Sequence, residues 1–113
     1  MKLLRIFAMG VLLSISVSAL AEFKTIVRAN EVTLSELQLP ASVNGITTFT
    51  ACWSCSEKRV NVSAATRYRL NDEFVSLQEF RSALAIVTDR QNKIAIVMHH
   101  LDTDLVTQIS IRL

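Results

Sequence analysis

From Leu37 onward apolar and polar residues alternate, the spacing of strands that keep one face wet. Leu37-Gln38-Leu39 and Ile46-Thr47-Thr48-Phe49-Thr50 flank Asn44-Gly45, which supplies the two positive φ values of a type I′ turn. The pattern therefore predicts a tight β-hairpin, and Pro40, with no amide hydrogen, puts its first arm on a sheet edge. Val60, Val62 and Ala64 next alternate with Arg59, Asn61 and Ser63, and Tyr68 and Leu70 with Arg67 and Arg69. These are one bent strand or two short ones, followed by a turn at Asn71-Asp72 into Phe74 and Val75.

The period changes in "SLQEFRSALAIV". Ser76 and Glu79 have the spacing of a capping box, and Leu77, Phe80, Leu84 and Val87 recur at helical steps. One amphipathic helix is predicted from 77 to 87, its apolar stripe turned to the sheet. After the polar break "TDRQN", Ile94, Ile96 and Met98 alternate with Ala95 and Val97. Leu105 to Leu113 alternates too, with Ile109, Ile111 and Leu113 on one side, so "HLDTD" is a hairpin loop. "EVTLSEL" (31–37) echoes "FVSLQEF" (74–80), a match too short to build a repeat on.

Ahead of this pattern stands another. Met1-Lys2-Leu3-Leu4-Arg5 is a basic head, Ile6 to Ala21 is uncharged and rich in Leu, Val, Ile and Ala, and Glu22 restores charge. This is the layout of a secretory signal peptide, with Ala19 and Ala21 at the small-residue positions read by a signal peptidase. We expect residues 1–21 to be a signal peptide and 22–113 a single small exported domain, periplasmic in a Gram-negative cell or otherwise secreted. A membrane anchor needs about 20 apolar residues. This stretch is shorter and is interrupted by Gly10, Ser14, Ser16 and Ser18, so no stable span is expected after signal removal.

Charge narrows the partners. The chain has 12 Lys and Arg against 10 Asp and Glu, and Lys2 and Arg5 of the leader account for that excess. The exported part is neutral, which argues against nucleic acid as a partner. With Gly10 and Gly45 the only glycines, a glycine-rich phosphate loop is excluded, and no Ser, His and acid spacing announces a nucleophile. Neither catalytic residues nor a cofactor are expected.

What chemistry there is lies in "ACWSCSEKRV". Cys52 and Cys55 form a C-x-x-C, the only cysteines in the chain. A thioredoxin-like redox pair opens a helix whose positive end stabilises a thiolate, whereas Ser56-Glu57-Lys58-Arg59-Val60-Asn61-Val62 has strand alternation. A structural zinc site needs four ligands. His99-His100 could add only one to the cysteines, because neighbours on a strand face opposite ways. Asp102 and Asp104 lack the glycine and distal glutamate of a calcium loop and read as turn formers, so no metal is expected. A β-turn holds its first and fourth α-carbons within about 7 Å, close to what a disulfide spans, and export provides an oxidising compartment. The expectation is a structural disulfide stapling a turn. Trp53 is either a ligand-facing aromatic or a cover for the sheet edge, and His99 and His100 are the other candidates for facing a ligand.

The order C-x-x-C, "RVNVSAATRYRLNDEFVSLQEF", closing hairpin resembles small uncharacterised exported bacterial proteins over residues 44–113. In these a Val-x-Val strand, a Thr-Arg-aromatic step and a Ser-Leu-x-Glu-Phe helix start follow the cysteine turn. The resemblance implies export and a compact mainly-β domain, and brings no activity with it. The fold expected is mainly β (α+β): a small antiparallel sheet, or partly open barrel, of about five strands with one helix. The function expected is that of a non-catalytic binding or structural module, meeting another exported protein through a sheet face or edge. The alternative is thiol-disulfide redox or metal handling through Cys52 and Cys55.

Overall fold

A computed structural model describes residues 26–52 and 54–113. The expected signal peptide lies outside the described residues, as does Trp53. Among them no helix is long and apolar enough to cross a membrane.

Over the described residues the protein is mostly β, an open mixed sheet of eight strands with one α-helix. The strands are β1 (Val27–Thr33), β2 (Leu37–Gln38), β3 (Ile46–Phe49), β4 (Lys58–Asn61), β5 (Arg67–Leu70), β6 (Glu73–Val75), β7 (Ile94–His100) and β8 (Leu105–Ile111). The helix α1 (Leu77–Ala85) follows β6. The mainly-β expectation with one helix holds; the sheet has more strands than the alternation revealed, and it is neither a barrel nor wholly antiparallel.

The reason lies in β8. One of its edges pairs antiparallel with β7, while the other is shared by β4, parallel at Asn61 and Leu105, and β5, parallel from Arg67 opposite Gln108 to Leu70 opposite Ile111. Between those two pairings the Val106 carbonyl would be orphaned in the core. The buried Thr66 hydroxyl donates to it at 2.6 Å and accepts from the Ser63 amide at 3.0 Å. This polar stitch divides the 58–70 alternation into two short strands, since a buried carbonyl must find a donor.

Two turns exchange roles relative to expectation. Asn44-Gly45 does not form a type I′ turn: neither residue has positive φ, and β2 joins β3 through a longer loop in which the Gly45 amide bonds the Ser42 carbonyl at 3.0 Å. Burial sets the register, pairing Leu37 with Phe49, both buried, and a two-residue turn at Asn44-Gly45 would offset that pair. Gly45 still suits the loop, because a Cβ there would make a tight approach of 3.1 Å to the Ser42 carbonyl oxygen. The tight hairpin forms instead at Asn71-Asp72, both at positive φ (49° and 71°), between Leu70 and Glu73. Pro40, just past the edge strand β2, is buried, and its carbonyl accepts from Arg81 of α1 at 3.1 Å.

Helix α1 starts as its sequence requires, with Ser76 Oγ accepting the Glu79 amide at 3.1 Å. It ends at Ala85, short of Val87, where the Arg90 guanidinium donates to the Leu84 carbonyl at 2.6 Å. Phe80 and Leu84 are buried against the sheet, and the Phe80 ring lies 5.3 Å from that of Tyr68 in a tilted pair. Val32, Ala95, Val97, Val106, Ile109 and Ile111 complete this core from the sheet side, with Leu34, Leu37 and Phe49 from the β2–β3 side. The two echoing heptapeptides follow one local course: β1 runs into a 3-10 turn at Leu34–Glu36 much as β6 runs into α1.

Candidate functional site

Cys52 and Cys55 form a disulfide with their α-carbons 5.0 Å apart, and the Cys55 amide donates to the Cys52 carbonyl at 3.0 Å. That is the first-to-fourth hydrogen bond of a β-turn. Both cysteines are exposed, and Cys52 Sγ lies 3.6 Å from Ser54 Oγ. Past Cys55 the chain enters β4, so the cysteine pair does not open a helix. Trp53 lies outside the described residues.

The histidines close the β7–β8 hairpin. His99 shares the buried face of Ala95 and Val97, its side chain only 12% exposed, with Nε2 2.7 Å from Asp104 Oδ1. His100 turns the other way, and its Nδ1 accepts the Thr103 amide at 3.3 Å. Asp104 has a φ of 55°, consistent with its expected role as a turn former. The two rings therefore face opposite sides, as strand geometry demands, and both are engaged with the loop that joins β7 to β8.

A β-bulge refines the reading of β8. Met98 pairs with Gln108 and His99 with Val106, leaving Thr107 as the extra residue, its hydroxyl donating to the Met98 carbonyl at 3.3 Å. The inserted residue brings Val106 onto the core side with Ile109 and Ile111, where strict alternation would have put Leu105. Because β4 runs parallel to β8 with Asn61 opposite Leu105, the cysteine turn ahead of β4 lies at the same end of the sheet as the histidine hairpin. Among the described residues no three His, Cys, Asp or Glu side chains gather as a metal-binding group.

A third feature was not identified from the sequence. The sheet face away from α1 carries a shallow depression of about 450 Å³ whose lining includes Glu31, Ile94, Ile96, Arg69, Ser110 and Arg112. Strand register puts Glu31, Ile96, Ser110, Arg69 and Phe74 in one row across β1, β7, β8, β5 and β6. The floor is aliphatic and open to solvent: Ile94 is 56% exposed and Ile96 40%. One rim is acidic, at Glu31. The other is basic, with Asp72 Oδ1 2.9 Å from Arg112 and 3.5 Å from Arg69, and the Arg67 guanidinium 3.9 Å above the ring of Phe74, itself 51% exposed.

A signal for this face was present in "IAIVM". Both alternating sets on β7 are apolar, which marks a strand with no polar face to give to water. The smaller set, Ala95 and Val97, is buried, and the larger isoleucines are left outside. In comparison with known proteins, no family model matches the chain, and no curated protein or solved structure matches it.

Proposed function

We propose that the chain is an exported, disulfide-stapled, non-catalytic interaction module that works through the open face of its sheet. The observation that carries this reading is the aliphatic stripe Ile94 and Ile96, left uncovered between charged rims while α1 covers the opposite face. Contiguous apolar surface rimmed by polar groups is a mark of interaction sites and ligand-binding grooves. Export rests on the N-terminal pattern, and a disulfide in an exposed turn accords with an oxidising compartment. The alternative, redox or metal handling through Cys52 and Cys55, draws less support, because Cys55 leads into a strand and not into the helix start that would activate a thiolate.

The test is photo-crosslinking in cells producing the full chain. A photoreactive residue replacing Ile96 should yield a crosslinked protein species. The same residue replacing Ile86, 81% exposed at the end of α1, should not. Equal, background labelling from both positions would refute the open face as the working surface.

A further inference from the structure

Resting on the open-face reading, we infer that the partner is a second copy of this chain, packed face to face about a two-fold axis running parallel to β7 and β8 and between them. The argument is the symmetry of the row Glu31, Ile96, Ser110, Arg69. Rotation about that axis exchanges the two sides of the sheet and preserves height along the strands. Glu31 of each copy then faces Arg69 of the other, and each Ile96 faces the partner copy's Ser110, whose small side chain leaves the hollow in the floor. An isologous interface requires such reciprocity, one patch complementary to itself.

The other in-plane axis, across the strands, fails on charge. It sets Glu31 against Glu31 and the arginine rim against itself, which like-charge repulsion opposes. Sheets packed face to face lie about 10 Å apart with strands nearly aligned, a gap that glutamate and arginine side chains bridge together while isoleucines fill its middle.

Arg69 has donor capacity to spare for this contact. Arg112 holds Asp72 at 2.9 Å and Arg67 stacks 3.9 Å over Phe74, whereas Arg69, its side chain 42% exposed, stands at the longer distances of 3.5 Å from Asp72 and 5.8 Å from the Phe74 ring. A carboxylate from the facing copy supplies the acceptor. A small acidic amphiphile would satisfy the arginines equally well but would leave Glu31 repelling it from the opposite rim. A second copy brings an arginine to that glutamate as well, which favours it.

Sedimentation velocity on protein produced from the full chain and purified from the exported fraction tests this. The parent should show a concentration-dependent monomer–dimer equilibrium. Glu31→Arg and Arg69→Glu should each raise the dissociation constant by about tenfold or more, and the double exchange should return it to within about threefold of the parent. Ile96→Glu should abolish the dimer, with circular dichroism and the denaturant midpoint showing that each variant is folded.

A monomer at every concentration, or a dimer indifferent to both single reversals, overturns the proposal. So does failure of the double exchange to restore what the singles lose. Crosslinking from position 96 separates this from the broader reading: a product of twice the chain mass supports the second copy, while a product with a different protein overturns it and leaves the open face as an interaction surface. No product at all overturns both.

Discussion

Replacing Phe80 by alanine removes the ring that holds α1 to the sheet. Phe80 is fully buried, pairs with Tyr68 at 5.3 Å, and sits near the middle of a nine-residue helix. Transfer of the lost side chain back to water is worth about 1.5–3 kcal/mol, and the lost aromatic pair adds about 0.5–1.5 kcal/mol. The unfilled cavity brings the expected cost to about 3–5 kcal/mol. An isolated helix below about 12–15 residues is marginal in water, so α1 depends on docking and Phe80→Ala should loosen it as a unit. Ser76→Ala, which deletes only the hydroxyl that accepts the Glu79 amide at 3.1 Å, should cost about 1 kcal/mol. Urea melts at neutral pH measure both: with m of about 1–2 kcal/mol/M, Phe80→Ala should lower the midpoint by roughly 1.5 M or more. A midpoint for Phe80→Ala equal to the parent's, or a loss smaller than that of Ser76→Ala, would refute the packing of α1 described here.

Four other outcomes are expected. Burial pushes the Tyr68 phenol above its ordinary value of 10.0, and its buried hydroxyl has no hydrogen-bond partner among the described residues. Stability should therefore hold at neutral pH and decline as pH climbs past about 10 toward the raised folded value, because the unfolded chain releases the phenolic proton first; Tyr68→Phe should gain about 1 kcal/mol and flatten that decline, and a loss of stability in denaturant melts would contradict the account. Thr66→Val should cost about 1–3 kcal/mol by orphaning the Val106 carbonyl, with faster amide exchange where β8 meets β4 and β5; unchanged melts would rule out the stitch. Replacing both Cys52 and Cys55 by serine should leave a folded protein less stable by roughly 2 kcal/mol, and glutathione titration should give a potential below about −300 mV; a readily reduced bridge with an acidic thiol would restore the redox alternative. Intact mass of the exported protein should begin at Glu22, and a species retaining the apolar leader would defeat the cleaved-signal reading.

Local chemistry was legible in the chain wherever the relevant groups are neighbours. Ser76 and Glu79 specify the start of α1, and Phe80 and Leu84 its buried stripe, because a helix places residues three and four apart on one face. The Asn71-Asp72 turn, the polar hairpin loop before Leu105 and the C-x-x-C turn likewise involve spans of a few residues, where backbone preferences decide. The opposite orientations of His99 and His100 follow from the two-residue repeat of a strand.

The tertiary structure decided what depends on distant partners. β1 reads poorly as a strand, since Arg28, Ala29, Asn30 and Glu31 show no clean alternation, and it is held by pairing along β7, far away in the chain. The parallel contacts of β8 with β4 and β5, the Thr66 stitch and the bulge at Thr107 have no local signature, because each answers a backbone hydrogen bond left open by another strand. The register of β2 on β3 was set by burying Leu37 with Phe49, against the turn preference of Asn44-Gly45. The open face belongs to the same class. Period two says that Ile94 and Ile96 share a side, but which side meets the core depends on α1, and which charges rim it depends on the strands that sheet topology sets beside β7.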